Sequence, residues 1–169
     1  TLRALHVTKA HPADQSLRNG TQTPGALFDR REPAVRAIVA AVRDAVARFV
    51  AALPDDPAHP FLRRKAAQIR FAGSWSVRLT QEGFHINHIH DRGWISSAFY
   101  FALPERSGDE DALTLGVPPV ELGLDLAPRR VVQPEVGRLI LFPSSMWHGT
   151  IPFARPGERL TVAFDVVPD

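Results

Sequence analysis

From Gln68 to the C-terminus the chain is a succession of short β-prone runs with no helical period between them, and this feature most narrows its fold. The runs are QIRFAG, SWSVRLT, FHINHIH, WISSAFYFAL, ALTLGV, RRVVQP, GRLILFP, WHGTIPF and RLTVAFDVV. Clusters of Gly, Pro, Asp and Ser separate them, as an all-β sandwich or barrel requires. Parallel strands would need crossovers of a dozen or more residues, so a doubly wound parallel sheet is excluded. A mostly β, jelly-roll (cupin-like) barrel is the expected architecture.

The N-terminal part reads differently. Residues 1–28 mix short apolar runs with the turn-forming segment GTQTPG, an irregular lead-in with room for one edge strand. Asp29 with Glu32 three residues later resembles a capping box, and Pro33 is tolerable in a first helical turn, so a helix is expected from Asp29. Val35, Ile38, Val39, Val42, Val46, Phe49 and Leu53 recur at three- and four-residue intervals with Arg36, Arg43, Asp44 and Arg48 between them. That is an amphipathic helix laid on an apolar surface and ending before Pro54. With 169 residues the chain has the usual size of one domain, expected as a helical lead-in over 1–66 and a β core over 67–169.

Composition limits the chemistry. Cysteine is absent, which removes disulfides, thiolate metal sites and cysteine nucleophiles, so any transition metal must be held by His, Asp or Glu. No stretch approaches a membrane span, and the N-terminus lacks the basic-then-apolar pattern of a signal peptide, so a cytoplasmic protein without a membrane partner is expected. The 20 Lys and Arg against 18 Asp and Glu are scattered and argue against nucleic acid. The acidic loop from Glu105 to Asp111 and the basic cluster Arg63, Arg64, Lys65 read as solvated surface.

Among the seven histidines, three stand out. In an extended strand His88 and His90 share a face, while Asn87 and Ile89 share the other. His148 follows 60 residues later, just after the apolar run RLILF, where a jelly roll can bring it opposite the first pair. His6, His11 and His59 are assigned no role. Asn87 and His85 precede the pair, and either could orient an imidazole from behind. Ser144 and Ser145 read as a turn.

The run HINHIHDRGWISSAFYFALP, then GRLILFPSSMWHGTIPF, then ERLTVAFDVVP resembles the 2-oxoglutarate/Fe(II)-dependent dioxygenases. More narrowly it resembles a bacterial group with His-x-His, a Ser-rich strand ending in an aromatic pair, a Phe-Pro-Ser…His segment and an Arg-bearing last strand. GTQT at Gly20–Thr23 and GSWSVRL at Gly73–Leu79 extend the likeness. The resemblance implies a double-stranded β-helix, Fe(II) and 2-oxoglutarate with O2, and hydroxylation of a substrate with release of succinate and CO2.

Carried over by position, the resemblance makes His88, His90 and His148 the metal ligands. The wider superfamily has a carboxylate where this chain has His90, which leaves the iron one more unit of positive charge; Asp91 is the rival ligand if the strand ends or bulges at His90. Arg159, 11 residues after His148, matches the arginine that takes the far carboxylate of 2-oxoglutarate. Tyr100, Thr161 and Ser96 are the further co-substrate residues, with Ala163 and Asp165 completing the Arg159 face. Leu160, Val162, Phe164 and Val166 form the core face. Trp75, Trp94 and Trp147 flank the motifs, and of the three Trp94 and Trp147 are expected to line the substrate mouth; the substrate is an unidentified small molecule or peptide. Two alternatives stay open: a three-histidine oxygenase that uses no 2-oxoglutarate, and a non-catalytic metal-binding module. The pattern leaves oligomeric state open.

Overall fold

A computed structural model describes residues 2–7, 16–105 and 107–169; His11 and Arg106 lie outside the described residues. Eight strands are present among these: β1 (Leu17–Gln22), β2 (Ile69–His85), β3 (Ile95–Ala102), β4 (Leu113–Leu115), β5 (Arg130–Val132), β6 (Leu139–Pro143), β7 (His148–Thr150) and β8 (Arg159–Pro168). One α-helix, α1 (Pro33–Ala52), precedes β2. The strands form an antiparallel five-stranded sheet in the order β1-β2-β8-β3-β6 and a three-stranded sheet in the order β5-β4-β7. These are the two walls of a double-stranded β-helix, with α1 packed on the outside of the larger one. No helix among the described residues is long and apolar enough to cross a membrane.

The helix begins four residues later than Asp29. Leu27–Asp29 instead forms a 3-10 turn, Glu32 occupies the N-cap without a side-chain bond, and Pro33 takes the first helical position. A proline there costs no hydrogen bond, because the first-turn N–H groups have no helical acceptors. At the other end Leu53 closes the helix through its N–H to Val50 O, ahead of Pro54. Val42, Val46 and Val50 face the larger sheet and meet Trp94, Ile95, Phe164 and Val166. Val35 packs with Leu27, Leu160 and Val162 at the other end of that face. Each such buried aliphatic side chain contributes about 1.5–3 kcal/mol.

The first two expected runs and the start of the third form one strand. β2 continues through Gly73, where a register shift between Phe71 and Gly73 against β8 absorbs the extra residue as a bulge. The ladder ends at His85, and beyond it His88 makes only an isolated bridge to His148. β8 lies centrally, paired to β2 on one side and β3 on the other. Its alternation is as expected: Leu160, Val162, Phe164 and Val166 are buried under α1 and its neighbours, while Arg159, Thr161, Ala163 and Asp165 face the interior of the β-helix.

Trp94 departs from its expected place at the mouth. It is 1% exposed in the core beneath α1, with its indole Nε1 donating to Phe61 O at 2.8 Å. Trp94 lies just ahead of β3, and with Ile95 it joins the cluster under the helix, where the strict alternation of the strand does not yet apply. The basic cluster is likewise partly internal: Arg64 donates to Gly93 O at 2.6 Å and Lys65 to Leu53 O at 2.7 Å, fastening the loop after α1.

Candidate metal centre

The turn after β2 and the start of β7 approach through a two-way backbone pair, His88 N to His148 O and His148 N to His88 O, both 3.0 Å. His90 N then donates to Ser144 O at 2.9 Å, so the segment runs extended past β7 and the i, i+2 relation of His88 and His90 holds without a full ladder. Gly149 makes this approach possible. A Cβ there would lie 2.2 Å from Asn87 Oδ1 and 2.9 Å from His85 O. Asn87 therefore packs against β7, on the opposite side of the segment from the imidazoles.

One ring nitrogen of each of His88, His90 and His148 lies within 4.8 Å of those of the other two, a set that could hold a metal ion. The other nitrogens identify which atoms are available. His88 Nδ1 donates to Ile86 O at 2.8 Å, His148 Nδ1 to Met146 O at 3.0 Å, and His90 Nδ1 to the two carboxylate oxygens of Asp165 at 2.7 and 2.8 Å. With each Nδ1 donating, each Nε2 carries the lone pair, the tautomer a metal requires; that of His88 lies 3.3 Å from Ser16 Oγ. Burial holds His88 below the usual imidazole range and, reinforced by the neighbouring His88, pushes His148 down to about 3. Neutral imidazoles are the ligating form.

Asp91 sits in an exposed turn on the rim, outside this cluster. Beneath His90, Asp165 accepts from Ser96 Oγ at 2.7 Å, and Ser96 Oγ lies 2.9 Å from Ser144 Oγ. Ser96 is thus placed behind His90, at the end of the site where the three imidazoles meet.

The cluster opens on a cavity of about 750 Å3 whose wall includes Trp75, His85, Thr161, Ala163 and Arg159. Trp75 replaces the two expected tryptophans: its ring stands 5.7 Å from that of His90, whereas Trp147 is half-buried and outside the lining. At the far end Arg159 is 3% exposed, with its guanidinium carbon 5.2 Å from the Tyr100 ring centroid. Burial raises the Tyr100 phenol above its usual range, and its hydroxyl has no partner among the described residues. Asp111 corrects the solvated-loop expectation: it is fully buried, and Arg159 Nη1 donates to its Oδ1 at 3.1 Å. Its backbone has φ of 62°, the left-handed region, and its N–H donates to Ile151 O.

His85 is the residue whose place in the cavity spacing did not identify. It lies half-buried on the cavity wall, its ring stacked 5.9 Å from that of His88 and its Nδ1 3.0 Å from Ser16 Oγ. Burial, followed by the charge of Arg159, holds it well below the usual imidazole range. A neutral imidazole at this place can offer one hydrogen bond to a ligand in the cavity.

Residues 73–165, more than half of the chain, match the family described as "Putative 2OG-Fe(II) oxygenase". No curated protein matches the chain in sequence. Among solved structures, an oxidoreductase of the 2OG-Fe(II) oxygenase family from Burkholderia pseudomallei shares 17% identity and a TM-score of 0.53 over 80% of this chain and 57% of that one. This chain therefore spans little more than half the length of that protein. HygX from Streptomyces hygroscopicus, with nickel and 2-oxoglutarate bound, is similar at 14% identity and a TM-score of 0.59, over 95% of this chain and 74% of its own. A Trichoplax adhaerens prolyl hydroxylase in complex with a hypoxia inducible factor peptide fragment is similar at 15% identity and a TM-score of 0.61, over 98% and 71%. At these identities the structural likeness is one of fold.

Proposed function

This chain belongs to the 2OG-Fe(II) oxygenase family, and from that membership we propose that it is a 2-oxoglutarate-dependent Fe(II) dioxygenase that hydroxylates a C–H bond of a small molecule or peptide. The observation that carries the reading is the convergence of three imidazoles with every Nδ1 already engaged, at one end of a cavity that has a buried arginine at the other. The donor set fits a first-row divalent metal: imidazole nitrogen suits Fe(II), and three ligands leave coordination positions open. His88, His90 and His148 would hold it through Nε2.

When bound, Fe(II) with 2-oxoglutarate supplies the oxidising chemistry, in which one atom of O2 enters the substrate as a hydroxyl, the other enters succinate, and CO2 leaves. The chain's own residues position the reactants. Arg159 offers its guanidinium to the far carboxylate of 2-oxoglutarate. The hydroxyl of Tyr100, whose ring lies against Arg159 and which has no partner among the described residues, is a donor for the same carboxylate, with Thr161 on the cavity wall. Trp75 gives the substrate an apolar wall next to His90.

Anaerobic addition of Fe(II) and 2-oxoglutarate is expected to give a visible charge-transfer band, lost in Arg159→Ala, and O2 is expected to yield succinate. Intact protein that binds Fe(II) and gives no band with 2-oxoglutarate would sink this reading.

A further inference from the structure

The replacement of the usual carboxylate ligand by His90 leaves a charge to account for. Three neutral imidazoles do nothing to offset a divalent ion, whereas a carboxylate ligand removes one unit of its charge. In this chain a carboxylate stands one imidazole further out. Asp165 directs both oxygens at His90 Nδ1, at 2.7 and 2.8 Å, and a third hydrogen bond from Ser96 fixes its orientation. Its side chain is only 15% exposed, and among the described residues its one ion-pair partner is His90; no Lys or Arg reaches it. A buried carboxylate without a permanent cation is costly. A positive ion on the far nitrogen of His90 would offset that cost.

We infer that Asp165 is a positioning residue which, acting through His90, supplies the negative charge that a ligand carboxylate would otherwise bring to the metal. The inference rests on the metal-site reading above. The bidentate acceptance fixes the Nδ1–H tautomer of His90 and aims Nε2 at the cluster. The Nδ1 atoms of His88 and His148 are held by backbone carbonyls, so His90 is the one of the three tied to a full charge. His90 and Asp165 thus work as a unit. Ser96 and Ser144 hold the acid end of that unit in place.

A unit of this kind is exposed by exchanging its two members. Ni(II) binding is measured by equilibrium titration on the full chain as wild type, Asp165→Asn, His90→Asp and the double variant. With His90 present, Asp165→Asn is expected to weaken Ni(II) binding about 10–100-fold. In the His90→Asp background there is no imidazole for Asp165 to act through and the ligand itself carries the charge, so Asp165→Asn should change Ni(II) binding far less. A loss of similar size in both backgrounds would mean that Asp165 merely supports the fold, and would overturn the inference.

Nitrogen chemical shifts of His90 in the metal-free wild type give a second reading that needs no variant. A bare Nε2 and protonated Nδ1 are expected, and the opposite tautomer overturns the assignment. Wild-type protein that binds no Ni(II) would remove the metal site itself. Normal wild-type binding with an indifferent Asp165→Asn would remove only the role of Asp165.

Discussion

Arg159 and Asp111 form a buried ion pair that ties the two sheets together, Nη1 to Oδ1 at 3.1 Å, with side chains 3% and 0% exposed. Arg159 opens β8 of the larger sheet, and Asp111 lies just ahead of β4 of the smaller one. Removing one partner from such a pair leaves an uncompensated buried charge, at about 3–5 kcal/mol. Arg159→Met should therefore cost that much in urea unfolding, and Arg159→Met with Asp111→Asn, a residue that tolerates the left-handed backbone there, should recover part of it. Neither variant should bind 2-oxoglutarate in a calorimetric titration. Equal stability of the single and double variants would show that the pair is not what holds this end.

A metal that binds only the folded state adds stability in proportion to the logarithm of its concentration over Kd. At a hundredfold excess over Kd, Ni(II) should add about 2.7 kcal/mol, or about 5–10 °C in Tm for a chain of this size, and a chelator should reverse it. His88→Ala and His148→Ala should each abolish the shift. Asp91→Ala should retain it, because Asp91 lies outside the cluster; loss of the shift in Asp91→Ala would restore the rival ligand.

The tryptophans separate stability from binding. Trp94→Ala empties a site packed beneath α1 and strands Phe61 O, and should lower unfolding free energy by about 3–5 kcal/mol. Trp75→Ala, on the cavity wall, should leave Ni(II) affinity intact while raising KM for the substrate once one is found. Denaturation curves with the same midpoint for the two variants would contradict this division.

Gly149→Ala tests the approach of β7 to the turn after β2. Its Cβ would press on Asn87 and on the backbone oxygen of His85, and the backbone contact cannot rotate away. Overpacking of this kind costs about 1–3 kcal/mol. It should also part the His88–His148 bridge, so Ni(II) affinity should fall together with stability. Unchanged affinity would mean that the bridge does not set the ligand spacing.

Much of this arrangement was legible in the order of residues. The period-two pattern of β8 separated Leu160, Val162, Phe164 and Val166 from Arg159, Thr161, Ala163 and Asp165, because alternation along a strand is a local property. The two-residue spacing of His88 and His90 placed both on one side for the same reason. Helix α1 was legible from its apolar stripe, although its first turn was not: Asp29 and Glu32 have the spacing of a capping box, but Leu27 is drawn into the core and winds Asp29 into a separate 3-10 turn.

What alternation leaves undetermined is which sheet, and which side of it, a residue meets. Trp75, Trp94 and Trp147 are alike as aromatic residues near motifs, and only tertiary packing sends the first to the cavity and the second under the helix. Asp111 belongs to a run of acidic residues that reads as solvated, yet the turn into β4 inserts its carboxylate beneath Arg159, 48 positions away in sequence. Asp165 is likewise 75 positions from His90. The sequence by itself determined the two faces of β8 and the shared side of His88 and His90, because alternation is a local property, and its motifs pointed to His148 and Arg159. The tertiary structure alone decided which carboxylates stand behind His90 and Arg159, because opposite charges find each other through space once two sheets close around one cavity.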